Sequence, residues 1–101
     1  MRILGIDPGT NLLGWAIIDT TGNKAQIVVM GVLDLSKQPD HYAKLRYIYE
    51  RISSIVNEYK PEELSIEAPF FGKNVQSMLK LGRAQGVCIA VAASQDMPIT
   101  E

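Results

Sequence analysis

Two apolar runs, Ile3–Ile6 and Leu12–Ile18, frame a short polar interruption at Asp7-Pro8-Gly9-Thr10-Asn11. Runs of this length ended by turn residues predict strands buried on both faces. The first strand is predicted over Arg2–Asp7 and the second over Leu12–Asp19, with Thr20-Thr21-Gly22-Asn23 as the hairpin turn after it. Lys24–Leu35 predicts a third strand, in which Val28, Val29 and Val32 supply β-branched side chains. Three strands joined by short turns predict an antiparallel meander.

The period then changes. Ser36–Asp40 is a polar loop, and Asp40 is a candidate helix cap. Leu45, Ile48, Ile52, Ile55 and Tyr59 recur at three- and four-residue spacing, with Arg46, Glu50, Arg51 and Glu58 between them. This is the pattern of a one-sided amphipathic helix, and Pro61 ends it. Leu64–Glu67, held between Pro61 and Pro69, predicts a short fourth strand. After the loop Pro69–Asn74, Asn74 is placed to cap a long second helix reaching about Ser94, and Met97–Glu101 opens a fifth strand. The order predicts a mixed α/β sheet with the fourth strand parallel to the first and helices covering the faces.

Composition narrows the setting. A chain of 101 residues is one domain able to bury roughly two-thirds of its unfolded surface. No run reaches the roughly 18 apolar residues of a membrane helix, so no membrane partner is expected. Asp7 and Pro8 interrupt any leader-like start, so none is expected. The single cysteine, Cys88, lies in an apolar run and reads as a core residue of a protein in the reducing cytoplasm. The net charge of −1 gives no global attraction to nucleic acid. Charge is unevenly spread, however. Ala68–Gln95 contains no acidic residue but does contain Lys73, Lys80 and Arg83.

Asp7 is the charge in need of an explanation. At the end of an apolar strand a lone carboxylate is expected to be costly unless a cation or hydrogen-bond donors compensate it. Side chains alternate along a strand, so Ile3, Gly5 and Asp7 share one face, and Ser65 and Glu67 share a face of the fourth strand. Parallel neighbours about 4.8 Å apart would bring Asp7 and Glu67 together at their C-terminal ends, where open α/β sheets place their ligand sites. Two such oxygen ligands suit Mg²⁺ or Mn²⁺ and metal-assisted phosphoryl transfer. The competing assignment has Asp7 capping the Pro-Gly turn and Glu67 pointing to solvent.

Three blocks of residues add a resemblance. Gly5-Ile6-Asp7-Pro8-Gly9-Thr10 with Gly14, then Ile66-Glu67-Ala68-Pro69-Phe70-Phe71-Gly72-Lys73-Asn74, then Leu79-Lys80-Leu81-Gly82-Arg83-Ala84-Gln85-Gly86 resemble the RuvC family of Holliday junction resolvases in order and spacing. The resemblance spans the whole chain. It implies an RNase H-like fold, a homodimer, and four carboxylates holding divalent metal, Mg²⁺ first and Mn²⁺ as an alternative. It also implies paired symmetric nicks in a four-way DNA junction during recombination and repair, with a branch-migration complex as a further partner. By motif position, Asp7 and Glu67 match the first two carboxylates, Phe70 the aromatic placed against DNA, and Lys73 and Asn74 the loop beside the backbone. Two departures stand out. Gln85 occupies a position where the family pattern has arginine, with Arg83 two places before it. The family's last two carboxylates lie in a C-terminal helix past residue 101, so residues 1–101 read as a resolvase domain incomplete at its C-terminus and weak or inactive alone.

The other candidates have two readings each. Phe70 reads as a base-stacking platform and Phe71 as a core-edge aromatic. Lys73, Lys80 and Arg83 are candidate phosphate contacts, Lys73 being nearest the carboxylates. Gly82, Gly86 and Ala90 recur four apart on one helix face, either for tight packing on the sheet or for close approach of a partner helix in a dimer. His41 receives no catalytic role. Two alternative functions remain open: a catalytically silent junction-binding or dimerising domain, and an actin-like ATPase domain with Asp7 and Thr10 around nucleotide phosphates.

Overall fold

The structure, a computed structural model, describes residues 1–68 and 74–101. Its elements are β1 (Arg2–Asp7), β2 (Leu12–Thr21), β3 (Lys24–Asp34), α1 (His41–Tyr59), β4 (Glu63–Ile66), α2 (Val75–Ser94) and β5 (Ile99–Thr100). They form one sheet in the order β3-β2-β1-β4-β5. β1 pairs antiparallel with β2, and β2 with β3, as the meander predicts. β4 lies parallel to β1, and β5 parallel to β4.

Both helices pack on one face of this sheet, and this corrects the expectation that they would cover the faces. Leu4 and Ile6 of β1, Leu13 and Ile17 of β2, Leu33 of β3, and Leu64 and Ile66 of β4 bury against Ile48, Ile52, Ile55 and Val56 of α1 and Ala84, Cys88, Val91 and Ala92 of α2. The strand order gives the reason. The crossover from β3 to β4 and the one from β4 to β5 move in the same direction across the sheet. Right-handed connections that move the same way put their helices on the same side. The opposite face, with Ile3, Gly5, Asp7, Gly14, Ala16, Met30, Val32 and Ser65, carries no helix among the described residues.

One end of the sheet is fastened by Arg2. Its Nε and Nη2 donate to Asp19 Oδ1 and Oδ2 at 2.8 and 3.0 Å, and its Nη1 donates to the Tyr59 carbonyl at 3.0 Å. β1, β2 and the end of α1 are thereby joined through one guanidinium, whose planar fork suits bidentate pairing. The pair holds the Asp19 carboxyl below its ordinary range.

The helix limits follow their caps. Asp40 Oδ1 accepts from the Ala43 amide at 2.8 Å, and Asn74 Oδ1 accepts from the Gln76 and Ser77 amides at 2.9 and 3.3 Å. α1 closes through left-handed Lys60 (φ 51°), whose amide donates to the Val56 carbonyl, just before Pro61. The hairpin is tighter than expected, because Gly22 at φ +60° lets β2 extend to Thr21. β5 starts later than expected: the Met97 amide is tied back to Ala92 O at 3.0 Å, and Pro98 has no amide to pair.

The β1–β2 turn is close-packed. A Cβ at Gly9 would collide with the Leu12 carbonyl oxygen, while the Leu35 amide anchors the turn through Asn11 O at 2.7 Å. Gly9→Ala should therefore destabilise the domain by roughly 1–3 kcal/mol. Gly82→Ala, where a Cβ meets open space, should stabilise α2 by roughly 0.5–1 kcal/mol. Urea midpoints moving in opposite directions check both, and equal shifts would refute this account of the turn.

Candidate metal centre

The pairing of β1 with β4 builds the site. Gly5 stands opposite Ser65 and Ile6 opposite Ile66, so Asp7 and Glu67 are the next pair in register. Glu67 lies one residue past the end of β4, yet its amide still donates to Ile6 O at 3.1 Å and continues the ladder. Hydrogen bonding to Asp7, then the charge of Asp7, then slight desolvation, raise the Glu67 carboxyl above its ordinary range.

Asp7 itself is solvent-exposed, which corrects the expectation of a charge buried among apolar neighbours. It faces the side of the sheet that the helices leave open, where water can solvate it. Gly14 stands opposite it across β1–β2, and even a Cβ there would lie 3.8 Å from the Asp7 Cβ. Gly5, Gly14, Ala16 and Ser65 thus keep the floor low beside the carboxylates. Together with Met30 and Val32 they line a shallow groove of about 540 Å³. Met30 and Val32 are 67% and 60% exposed, an apolar rim on a charged site.

The donor set suits a hard divalent cation. Mg²⁺ is commonly held by one or two carboxylates, with water and substrate phosphate completing its shell. Asp7 and Glu67 would supply such oxygens, and their mutual repulsion is the kind a cation relieves. Among the described residues no group of three His, Cys, Asp or Glu side chains converges as a metal cage. Glu101 lines the same groove, and its Oε1 lies 3.5 Å from Gln85 Nε2.

The other candidates divide. Phe70 and Lys73, with Phe71, lie outside the described residues. Asn74 is exposed, and its side-chain oxygen is committed to capping α2. Lys80 and Arg83 are exposed on α2. Gly82 and Gly86 meet nothing within 4 Å of a built Cβ, so the reading in which they pack tightly on the sheet fails; Ala90, on the same stripe, is exposed. The buried side of α2 is Ala84, Cys88, Val91 and Ala92. Cys88 is the expected core residue, its thiol pushed up to about 12 by burial. No helix among the described residues is long and apolar enough to cross a membrane.

The family model Crossover junction endodeoxyribonuclease RuvC matches residues 3–101. The chain belongs to the RuvC family. It is 60% identical over 99 residues to a crossover junction endodeoxyribonuclease RuvC of Bacteroides fragilis, covering 98% of this chain and 53% of that protein. The Porphyromonas gingivalis RuvC is 54% identical, with 98% and 52% covered. The chain thus spans about half the length of these curated relatives. Among solved structures, T. thermophilus RuvC in complex with Holliday junction substrate superposes with a TM-score of 0.89 at 26% identity, over 98% of this chain and 63% of that one. The RNase H-like mixed sheet expected from the RuvC resemblance is the observed fold.

The raised Glu67 carboxyl sets a pH dependence. A carboxyl raised on folding contributes stability below its unfolded value of about 4.3, and that stability is lost as pH rises through the folded value. In metal-free protein, Glu67→Gln should therefore raise the thermal midpoint at pH 7 and lose this advantage below about pH 4. Adding Mg²⁺ at pH 7 should raise the midpoint of the unsubstituted protein but not of Glu67→Gln. Equal Mg²⁺ effects on both would count against the metal centre.

Proposed function

We propose that this chain is the carboxylate-bearing part of a Holliday junction resolvase that hydrolyses phosphodiesters in four-way DNA junctions. The observation that carries the reading is the convergence of Asp7 and Glu67 at the C-terminal ends of two parallel strands, beside an open groove, in a chain of the RuvC family. The T. thermophilus relative, solved with Holliday junction substrate, supports four-way DNA as the partner.

In this mechanism Asp7 and Glu67 would hold Mg²⁺, with Mn²⁺ as a substitute, and the ion held there would supply Lewis-acid stabilisation of the reacting phosphate and lower the pKa of water. The residues of the chain do the positioning. Gly5, Gly14 and Ser65 give the DNA backbone a low floor to approach. Phe70 stacks on a base at the junction, and Lys73 and Asn74 hold the adjacent backbone. Lys80 and Arg83 contact phosphates further along. Two further carboxylates complete the set, and the uncovered sheet face beside Met30 and Val32 has room for the element that brings them. Residues 1–101 alone bind junctions and nick them weakly or not at all.

Paired symmetric nicks require two sites related by symmetry. The small-residue stripe Gly82, Gly86 and Ala90, with open space above both glycines, supports α2 as the homodimer contact, since small residues let helix backbones approach closely. A branch-migration complex of the same pathway delivers the junction, and the protein acts in the cytoplasm.

Two experiments test this reading on the full-length protein. Asp7→Asn should reduce Mg²⁺-dependent nicking of a synthetic four-way junction at least about a hundredfold while junction binding persists. Undiminished nicking would remove Asp7 from the mechanism. Gly86→Leu should convert dimer to monomer in sedimentation velocity without loss of helical circular dichroism, because leucine is the better helix former. A dimer that survives this change would place the interface elsewhere.

A further inference from the structure

The face of α1 that meets α2 carries a charge pattern that the carboxylate site does not use. His41 and Lys44 are three residues apart at the start of α1, and Lys80 and Arg83 are three apart on α2, so each pair shares a helix face. The two faces meet beside the β1–β2 turn. His41, Lys44, Lys80 and Ala84 surround a narrow gap of about 10 Å³ closed by Gly9 and Thr10. Lys44 Nζ reaches across to the Thr10 carbonyl and Asn11 Oδ1, at 3.3 Å each.

Among the described residues, the acid acting on His41 is outnumbered by cations. α2 contains no aspartate or glutamate, and the acid facing His41 is Asp40, whose Oδ1 caps α1 through the Ala43 amide. His41 Nε2 is sealed from solvent and makes no hydrogen bond among the described residues. Desolvation, then Arg83, Lys80 and Lys44, hold the imidazole below its ordinary range, against a smaller opposing effect of Asp40. Like charges gathered at one place without a counter-ion form a site of positive potential that favours an anion.

We infer that His41 and Lys44 join Lys80 and Arg83 in a second phosphate station, which takes a DNA backbone phosphate on the helix side of the sheet end. Lys44, Lys80 and Arg83 make the contacts, and His41 stands behind them as a titratable member that gains its proton when the phosphate arrives. The placement is close to the carboxylates. Thr10 follows Asp7 by three residues, at most about 11 Å of extended chain. A DNA strand whose reacting phosphate lies at Asp7 and Glu67 therefore brings neighbouring phosphates within reach of this cluster. The inference rests on the nuclease reading for the identity of the anion.

The test uses the full-length protein and a synthetic four-way junction in EDTA, with affinity read by fluorescence anisotropy across a NaCl series. Each lost phosphate contact lowers the slope of log affinity against log salt by about 0.9. The double variant Lys44→Gln/Lys80→Gln should lose about 1.8 from the slope. Arg51→Gln, exposed about 15 Å along α1 from His41, should lose none. Junction affinity should rise from pH 8 to pH 6, and His41→Gln should flatten that rise. Circular dichroism verifies folding of each variant. A folded double variant with an unchanged slope overturns the station while leaving the nuclease reading intact. Inorganic phosphate titrated against the His41 ring proton resonances separates the two ideas. A shift there in a protein that does not bind junctions keeps the station and removes the nuclease reading, and no shift in a protein that does bind junctions removes the station.

Discussion

The parallel pairing of β1 with β4 is the constraint on which the rest of the molecule depends. Its register, with Ile6 opposite Ile66, decides two things together. It turns Leu4, Ile6, Leu64 and Ile66 toward the helices, and it sends Asp7 and Glu67 off the ends of their strands side by side. A slip of one residue would turn the apolar set of β4 to solvent and move Glu67 away from Asp7. The core therefore enforces the geometry of the site: the hydrophobic free energy of those buried side chains holds two like charges at adjacent strand ends, which they would not choose in isolation. The raised Glu67 carboxyl records that conflict.

Much of this was legible in the sequence because the carboxylates are tied to local signals. Each ends a strand, each follows a small residue on its own face, and each precedes a proline within two residues. Strand periods, the caps Asp40 and Asn74 and the break at Pro61 are also local chemistry, and they place the elements to within a residue or two. Glu67 marks the limit of that precision: expected inside β4, it lies just beyond it. The pairing with β1 survives because the Glu67 amide still bonds Ile6 O.

What the sequence concealed depends on contacts between distant segments. The side of the sheet that each helix takes is not written in the helix pattern, since α1 and α2 would show the same apolar stripe on either face. It follows only once the order β3-β2-β1-β4-β5 is known, because both crossovers then advance the same way. The exposure of Asp7 was hidden for the same reason: with both helices on one side, the face it occupies is open. His41 reads as an isolated histidine near a helix start until α2 brings Lys80 and Arg83 to it from about forty residues away. The outward direction of Gly82 and Gly86 likewise emerges only when Ala84 and Cys88 are seen to face the core.

The arrangement of charge at this end of the sheet has a physical logic of its own. Two carboxylates repel a phosphate backbone as strongly as they repel each other, and a net charge of −1 gives the chain no global attraction to offset it. Cations that favour a polyanion must then be local and close, within the ~10 Å over which salt leaves charges visible to one another. They must also stand clear of the carboxylates, because a lysine between Asp7 and Glu67 would neutralise the pair and compete with metal. The fold meets both conditions by using its two faces. The acids lie on the open face of the sheet end, and Lys44, Lys80 and Arg83 lie on the helix face, with only the turn from Pro8 to Asn11 between them. On the proposed reading, a strand of DNA laid across that edge would meet attraction on one side and the carboxylate oxygens on the other, so binding and chemistry would be served by separate groups in a chain this small.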